Sequence, residues 1–266
     1  MRHYEFTGEK QDTLNRIRAL VDLPHHGVKA GDLGGWVESY DNLAEQAWVA
    51  DSSRVFGSAL VYGSARVSKN ARVSGNAQVF GSALVFGSAL VYGSARVSGN
   101  ARVSGNAQVF GSALVSGNAL VCGSALVCGS ALVCGSALVF GSAQVCGSAQ
   151  VCGSAQVFGS AQVCGSAQVC GSAQVFGSAQ VCGSALVFGS ALIKSHKDYL
   201  TIGPAKSSGR FTTAYKTAEG IQVNTGCFSG DLHAFSAAIE KTHTGENLEQ
   251  YRLFCQLIAF NFGVTP

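Results

Sequence analysis

The sequence predicts an all-β solenoid, a parallel β-helix occupying most of the chain, and two regularities carry that expectation. Stepping by six from Val37 through Leu43, Val49 and Val55 to Val187 and Ile193 meets an aliphatic residue at all 27 positions. Four residues after each of these, from Ala59 to Ala191, stands Ala without exception, usually behind a Gly-Ser or Gly-Asn pair. Self-similarity at a fixed short period marks a stacked repeat, and a hexad points to a β-helix, because helical repeats need roughly 30 to 50 residues per unit.

The hexad Val-x-Gly-Ser/Asn-Ala-x assigns inside and outside without further information. Side chains alternate between faces of a strand, so Ala and Val share one face and the residue between them takes the other. That intervening position holds Arg66, Arg72, Arg96, Arg102 and then seven successive Gln from Gln144 to Gln180, which places it outside. Val and Ala therefore line the interior. The Gly-Ser or Gly-Asn pair falls between strands, where Gly and Asn tolerate the positive φ of a tight corner. Each coil is expected to stack on the next by main-chain hydrogen bonds at about 4.8 Å.

Val-Ser-Gly-Asn-Ala-Arg at 97–102 resembles the hexapeptide repeat of left-handed β-helices, whose three hexads make one triangular coil. The resemblance covers residues 37–193 and implies a triangular, left-handed repeat domain over 37–194 of eight to nine coils, roughly 40 Å long at the strand spacing. Residues 1–36 read as a small N-terminal β cap, with strand-like YEFTG and IRALV and a Gly-rich GDLGGWV entry to the first coil. LNRIRALV and VKAGDLGGWVESYDNLAEQAWV resemble the start of the enterobacterial YdcK-type hexapeptide-repeat proteins and their phage and prophage relatives.

The tail, residues 195–266, reads as an α+β domain. Two or three strands come first, and Ser229 or Asp231 then caps a helix from about Leu232 to Thr242. Thr244, with Glu246 and Asn247, begins a second helix running to Phe262, whose Leu253, Phe254, Leu257, Ile258 and Phe262 recur at helical spacing on one face. YLTIGPAKSSGRFTTAYKT and GIQVNTGCFSGDLHAF also resemble a small domain common in phage-encoded proteins. An open β-helix end offers unpaired strand edges, so capping is the first role expected of both end segments.

Composition narrows the function classes. No Asp, Glu, Lys or Arg lies between Val103 and Ile193, and the net charge is only +3. The clustered bases Arg54, Arg66, Lys69, Arg72, Arg96 and Arg102 lack the interleaved aromatics of a nucleic-acid surface, so nucleic acid is not an expected partner. The N-terminus has no apolar h-region and no stretch reaches the ~18 unbroken apolar residues of a membrane helix, which predicts a cytoplasmic protein with no membrane contact. The ten Cys are then expected to be reduced thiols.

Resemblance to hexapeptide-repeat proteins implies an acyltransferase as the leading enzymatic reading, with acetyl-CoA as cofactor, a His base and a groove between subunits. No loop interrupts the hexads, and His3, His25, His26, His196, His233 and His243 all lie outside them. His196, just after the last coil, is the one candidate general base. An exposed linker His with Lys194 and Lys197 beside it is, however, more often merely solvated. His25-His26 has no Cys, Asp or Glu at ligand spacing, so no metal site is expected.

Eighteen residues per coil put Cys128, Cys146, Cys164 and Cys182 on one edge, Cys134, Cys152 and Cys170 on a second, and Phe140, Phe158 and Phe176 on the third. Thiols one coil apart could bind a soft metal or form strained disulfides, but stacked rows lack the tetrahedral convergence that zinc prefers, and free Cys commonly packs as a small hydrophobe. These ladders are expected to be packing or assembly surfaces. Uncharged apolar strips on the outside predict a homo-oligomer; the transferase resemblance implies a trimer, and side-by-side dimers fit the flat faces equally well. An early duplication, 56–79 against 86–109, is offset by 30 residues and so moves outward features to another face, whereas the later one, 146–163 against 164–181, is offset by 18 and aligns them. The sequence thus favours a non-enzymatic scaffold or interaction protein of phage or prophage derivation, with end domains available to a protein partner, over an acyl-CoA-dependent transferase.

Overall fold

A computed structural model of the chain describes residues 2–265. Two-residue rungs such as Gln156–Val157, each followed by a corner, build three parallel sheets. Successive rungs of a sheet are eighteen residues apart, Val139 pairing with Val157 and Val157 with Val175. Nine rungs in each of two sheets and eight in the third make a β-helix of eight to nine coils. Between coils the ladder is regular: Leu126, Cys128 and Ser130 donate N–H to the carbonyls of Ala143, Val145 and Gly147 at 2.9, 2.9 and 2.7 Å. From Val55 to Ile193 the inward Val, Ile and Ala are essentially fully buried, and the axis is filled by their stacked side chains.

The corners differ from expectation in one respect. Gly, not Asn, takes the positive φ, between 60° and 75° from Gly57 to Gly189. The reason is the turn: where Ala125 N–H closes onto Cys122 O at 3.4 Å, the left-handed residue is the second of four, the position a type II′ turn demands. Asn, when present, is third and keeps a negative φ. Glu45, Asp51 and Lys69 occupy the Gly slot in early coils and are held at φ 58°, 56° and 63°.

At the N-terminus, strands Tyr4–Gln11 and Leu14–Ala19 form an antiparallel hairpin. The second of them pairs antiparallel with Leu33–Val37, which is itself the first rung of a prism face. One face therefore grows to eleven strands. Its entry requires Gly34, because a Cβ there would lie 2.5 Å from Ile17 and 2.6 Å from the Val49 carbonyl. Tyr4, Ile17 and Trp48 plug the open end, all essentially buried.

The far end is closed by strands Tyr199–Ile202, Thr212–Thr217, Gly220–Thr225 and Phe228–Asp231, an antiparallel sheet with one strand more than the upper expectation. Thr212–Thr217 lies on the last coil: Ala191 bridges Thr217, and Leu186 N–H donates to Thr213 Oγ1 at 3.1 Å. Tyr215 is buried among the repeat residues and stops the axis. Helices α1 (Leu232–Thr242) and α2 (Gly245–Phe262) follow. Asp231 caps α1 by accepting from Ala234 N–H at 2.6 Å. The buried stripe of α2 is Tyr251, Phe254, Cys255, Ile258 and Ala259, so Leu253 and Leu257, expected on that face, point outward instead. Helical spacing alone offers two overlapping stripes here, and packing against α1 selects the one carrying Tyr251.

Candidate functional site

The outward ladders run along the three corners of the prism. Phe140, Phe158 and Phe176 stack face to face with centroids 4.9 and 5.1 Å apart and planes within 6°, a spacing imposed by the coil rise. Tyr62 on Phe80 and Tyr92 on Phe110 repeat the arrangement earlier, at 4.9 and 4.8 Å. All these rings are half-buried, edge outward, because each is covered by its neighbour in the stack.

The Cys ladders correct the expectation of reduced thiols throughout. Cys128–Cys146 and Cys164–Cys182 are disulfides, with Cα atoms 4.7 and 4.6 Å apart. A parallel β-helix gives stacked residues the same rotamer environment at one rung spacing, which falls inside the Cα window a disulfide accepts. On the second edge Cys134, Cys152 and Cys170 are free, and Cys134 donates to Cys152 Sγ at 2.8 Å. Burial pushes the Cys134 thiol up to about 12 and also raises Cys152 and Cys170. These groups are neutral near pH 7.

His196 sits exposed in a 3-10 turn, His196–Asp198, just past the last coil. Its neighbours are occupied with structure. Asp198 Oδ2 accepts from Ser195 N–H and Oγ–H at 2.8 and 3.1 Å, while Oδ1 accepts from Lys216 Nζ at 2.8 Å. Burial works to raise the Asp198 carboxyl, but Lys216 and Ser195 outweigh it and hold the group below its usual range. No hydrogen bond orients the His196 ring among the described residues. His26 and His3 are used differently: each donates Nε2–H to a backbone carbonyl, Gln46 O and Ala47 O, both at 2.8 Å. Burial lowers the basicity of both. No cluster of three or more His, Cys, Asp or Glu side chains is placed to hold a metal among the described residues.

Three surfaces were not legible in the sequence. A groove of about 600 Å³ between the N-terminal cap and the prism is lined by His25, Arg66, Lys69, Phe86 and Arg102. There Lys69 and Arg102 lie over the Phe86 ring at 5.8 and 5.7 Å; the aromatic missing between the bases along the chain is supplied by an adjacent coil. A second cavity, about 440 Å³, opens in the C-terminal domain between the sheet and helices, with Arg210, Cys227, Phe235 and His243 in its wall. The His243 ring stacks on Tyr251 at 4.5 Å. The outer side of α2 presents Leu253, Leu257 and Phe260, with Phe260 86% exposed and Val264 exposed just past the helix end. The only signal for this stripe was apolar residues in excess of one helical face.

Three stacked parallel sheets with plugged ends define a β-solenoid repeat protein. The family model described as the YdcK beta solenoid repeat matches residues 95–114, slightly more than one coil, and over that stretch the chain is similar to that repeat. No curated protein matches the chain. No helix of the described residues is long and apolar enough to cross a membrane.

Proposed function

We propose that the chain is a non-enzymatic scaffold, of phage or prophage descent on the resemblance of its two ends, which self-associates through uncharged prism faces and holds its end domains a fixed distance apart. The observation that carries the reading is the outer surface from Val103 to Ile193, where rows of Leu, Gln, Cys and Phe stand in register with no formal charge. Charge on monomer surfaces is what normally keeps flat sheets apart, and a face without it is suited to a second copy of itself. The apolar outer stripe of α2 supports a protein contact at the C-terminal domain. Nothing in the setting of His196 favours the acyltransferase reading.

Sedimentation velocity over a hundredfold concentration range tests self-association, with Gln162→Glu, Gln156→Glu and Gln150→Glu each charging one face. A concentration-dependent dimer or trimer that one of the three variants dissociates is the expected result. A monomer at every concentration overturns it. Acetyl-CoA or CoA at millimolar concentration is expected to leave Tm unchanged; a rise of several degrees, reporting binding to the folded state, would restore the transferase reading.

A further inference from the structure

The two Cys edges differ in parity. The first holds four residues, Cys128, Cys146, Cys164 and Cys182, which pair completely. The second holds three, preceded on the same edge by Ser98 and Ser116 and followed by Phe188. With one rung of about 4.7 Å between stacked Cα atoms, Cys134 and Cys170 are two rungs apart, beyond the ~7 Å a disulfide spans. Any disulfide on this edge must therefore include Cys152. The Cys134 and Cys152 sulfurs already touch at 2.8 Å.

We propose that Cys134, Cys152 and Cys170 form a redox site that accepts one disulfide from a small-molecule disulfide, always through Cys152, and leaves a free thiol at one end of the row. In the first step a thiolate of the row attacks the small disulfide, forming a mixed disulfide and releasing one small thiolate, which takes up a proton. The adjacent thiolate then attacks the protein sulfur of that mixed disulfide and expels the second small thiol. Two Cys thiols are oxidised and one small disulfide is reduced to two thiols. The remaining thiolate can attack Cys152 Sγ and release the opposite Cys, which shifts the bond by one coil with no change in oxidation state. Thiolate is the attacking species, and the raised thiol pKa values make the step slow near neutrality and faster as pH rises.

Oxidised glutathione is the probe, applied to the full chain carrying Cys227→Ser to remove the exposed thiol. Thiols are counted after denaturation, and bound glutathione is read separately by intact mass. The parent is expected to lose two thiols without adding mass from glutathione. Cys134→Ser and Cys170→Ser should each still lose two, because either partner of Cys152 suffices. Cys152→Ser should lose none by disulfide formation and instead carry glutathione or remain reduced. Ser already occupies this corner at Ser98 and Ser116, so the three variants keep the coil, which far-UV circular dichroism verifies. Loss of two thiols in Cys152→Ser with no added glutathione mass, or no such loss in either end variant or in the parent, overturns the proposal.

Discussion

Replacing Gly129 and Gly183 by Ala separates two costs that the hexad normally imposes together. Both glycines have nearly the same backbone conformation, φ 69° and 71°, so an L side chain at either incurs about 1–2 kcal/mol for the left-handed region. Their surroundings differ. A Cβ on Gly129 would lie 2.8 Å from Gly147 O and 2.9 Å from Gly147 N, whereas one on Gly183 meets nothing within 4 Å. Relief at Gly129 requires the next coil to retreat by about half an ångström to reach ordinary contact, and the Ser130 to Gly147 hydrogen bond, 2.7 Å, lies in the path. Overpacking of this kind adds about 1–3 kcal/mol. Gly183→Ala is thus expected to cost about 1–2 kcal/mol and Gly129→Ala about 2–5 kcal/mol. Urea midpoints followed by far-UV circular dichroism give the ranking, and hydrogen exchange of the flanking coils guards against the partial cooperativity of long repeat arrays. Equal destabilisation by the two variants, within about 0.5 kcal/mol, an additivity-level error, would refute the close approach of successive coils as the reason for the Gly ladder.

Val157→Asp is expected to destabilise by about 4 kcal/mol or more, since the carboxylate would stand unpaired between Val139 and Val175, while the outward Gln156→Glu should change little; comparable urea midpoints for both would reverse the inside and outside assignment. Acid should loosen the N-terminal cap selectively. His3 and His26 bind protons less readily when folded than when unfolded, so the unfolded state takes up more protons below about pH 6.5. The cap's stability is fully present above that pH and falls as pH drops through the lowered folded values. Amide protection factors, which remove the intrinsic slowing of exchange with falling pH, should drop between pH 7.5 and 5 in residues 2–36 and not in the coils around Val157, and unchanged protection in the cap would refute the coupling.

Much of the prism was legible because its environment repeats. Each Val, Ala and Gly meets the same neighbours eighteen residues before and after, so a period read along the chain is also a contact list. The start of α1 was equally local, set by Asp231 as a cap. Readings that failed depended on choices between near-equal local options. Asn was a plausible owner of positive φ until the turn position assigned it to Gly, and Leu253 and Leu257 fitted a buried stripe until α1 selected the adjacent one. Cys residues fall in rows along the sequence, but which neighbours in a row pair is a choice of side-chain conformation that spacing does not report.

By itself the sequence determined the period, the interior of Val and Ala and the charge-free span from Val103 to Ile193, because these are properties of a backbone that repeats its own contacts, whereas three hexads to a coil came from the resemblance to left-handed β-helices. Tertiary structure alone decided that the N-terminal hairpin extends one face as antiparallel strands, that Tyr215 stops the far end, and that Lys69 and Arg102 share the ring of Phe86. Those arrangements join segments with no common period, and only the packing of one non-repeating surface on another settles them.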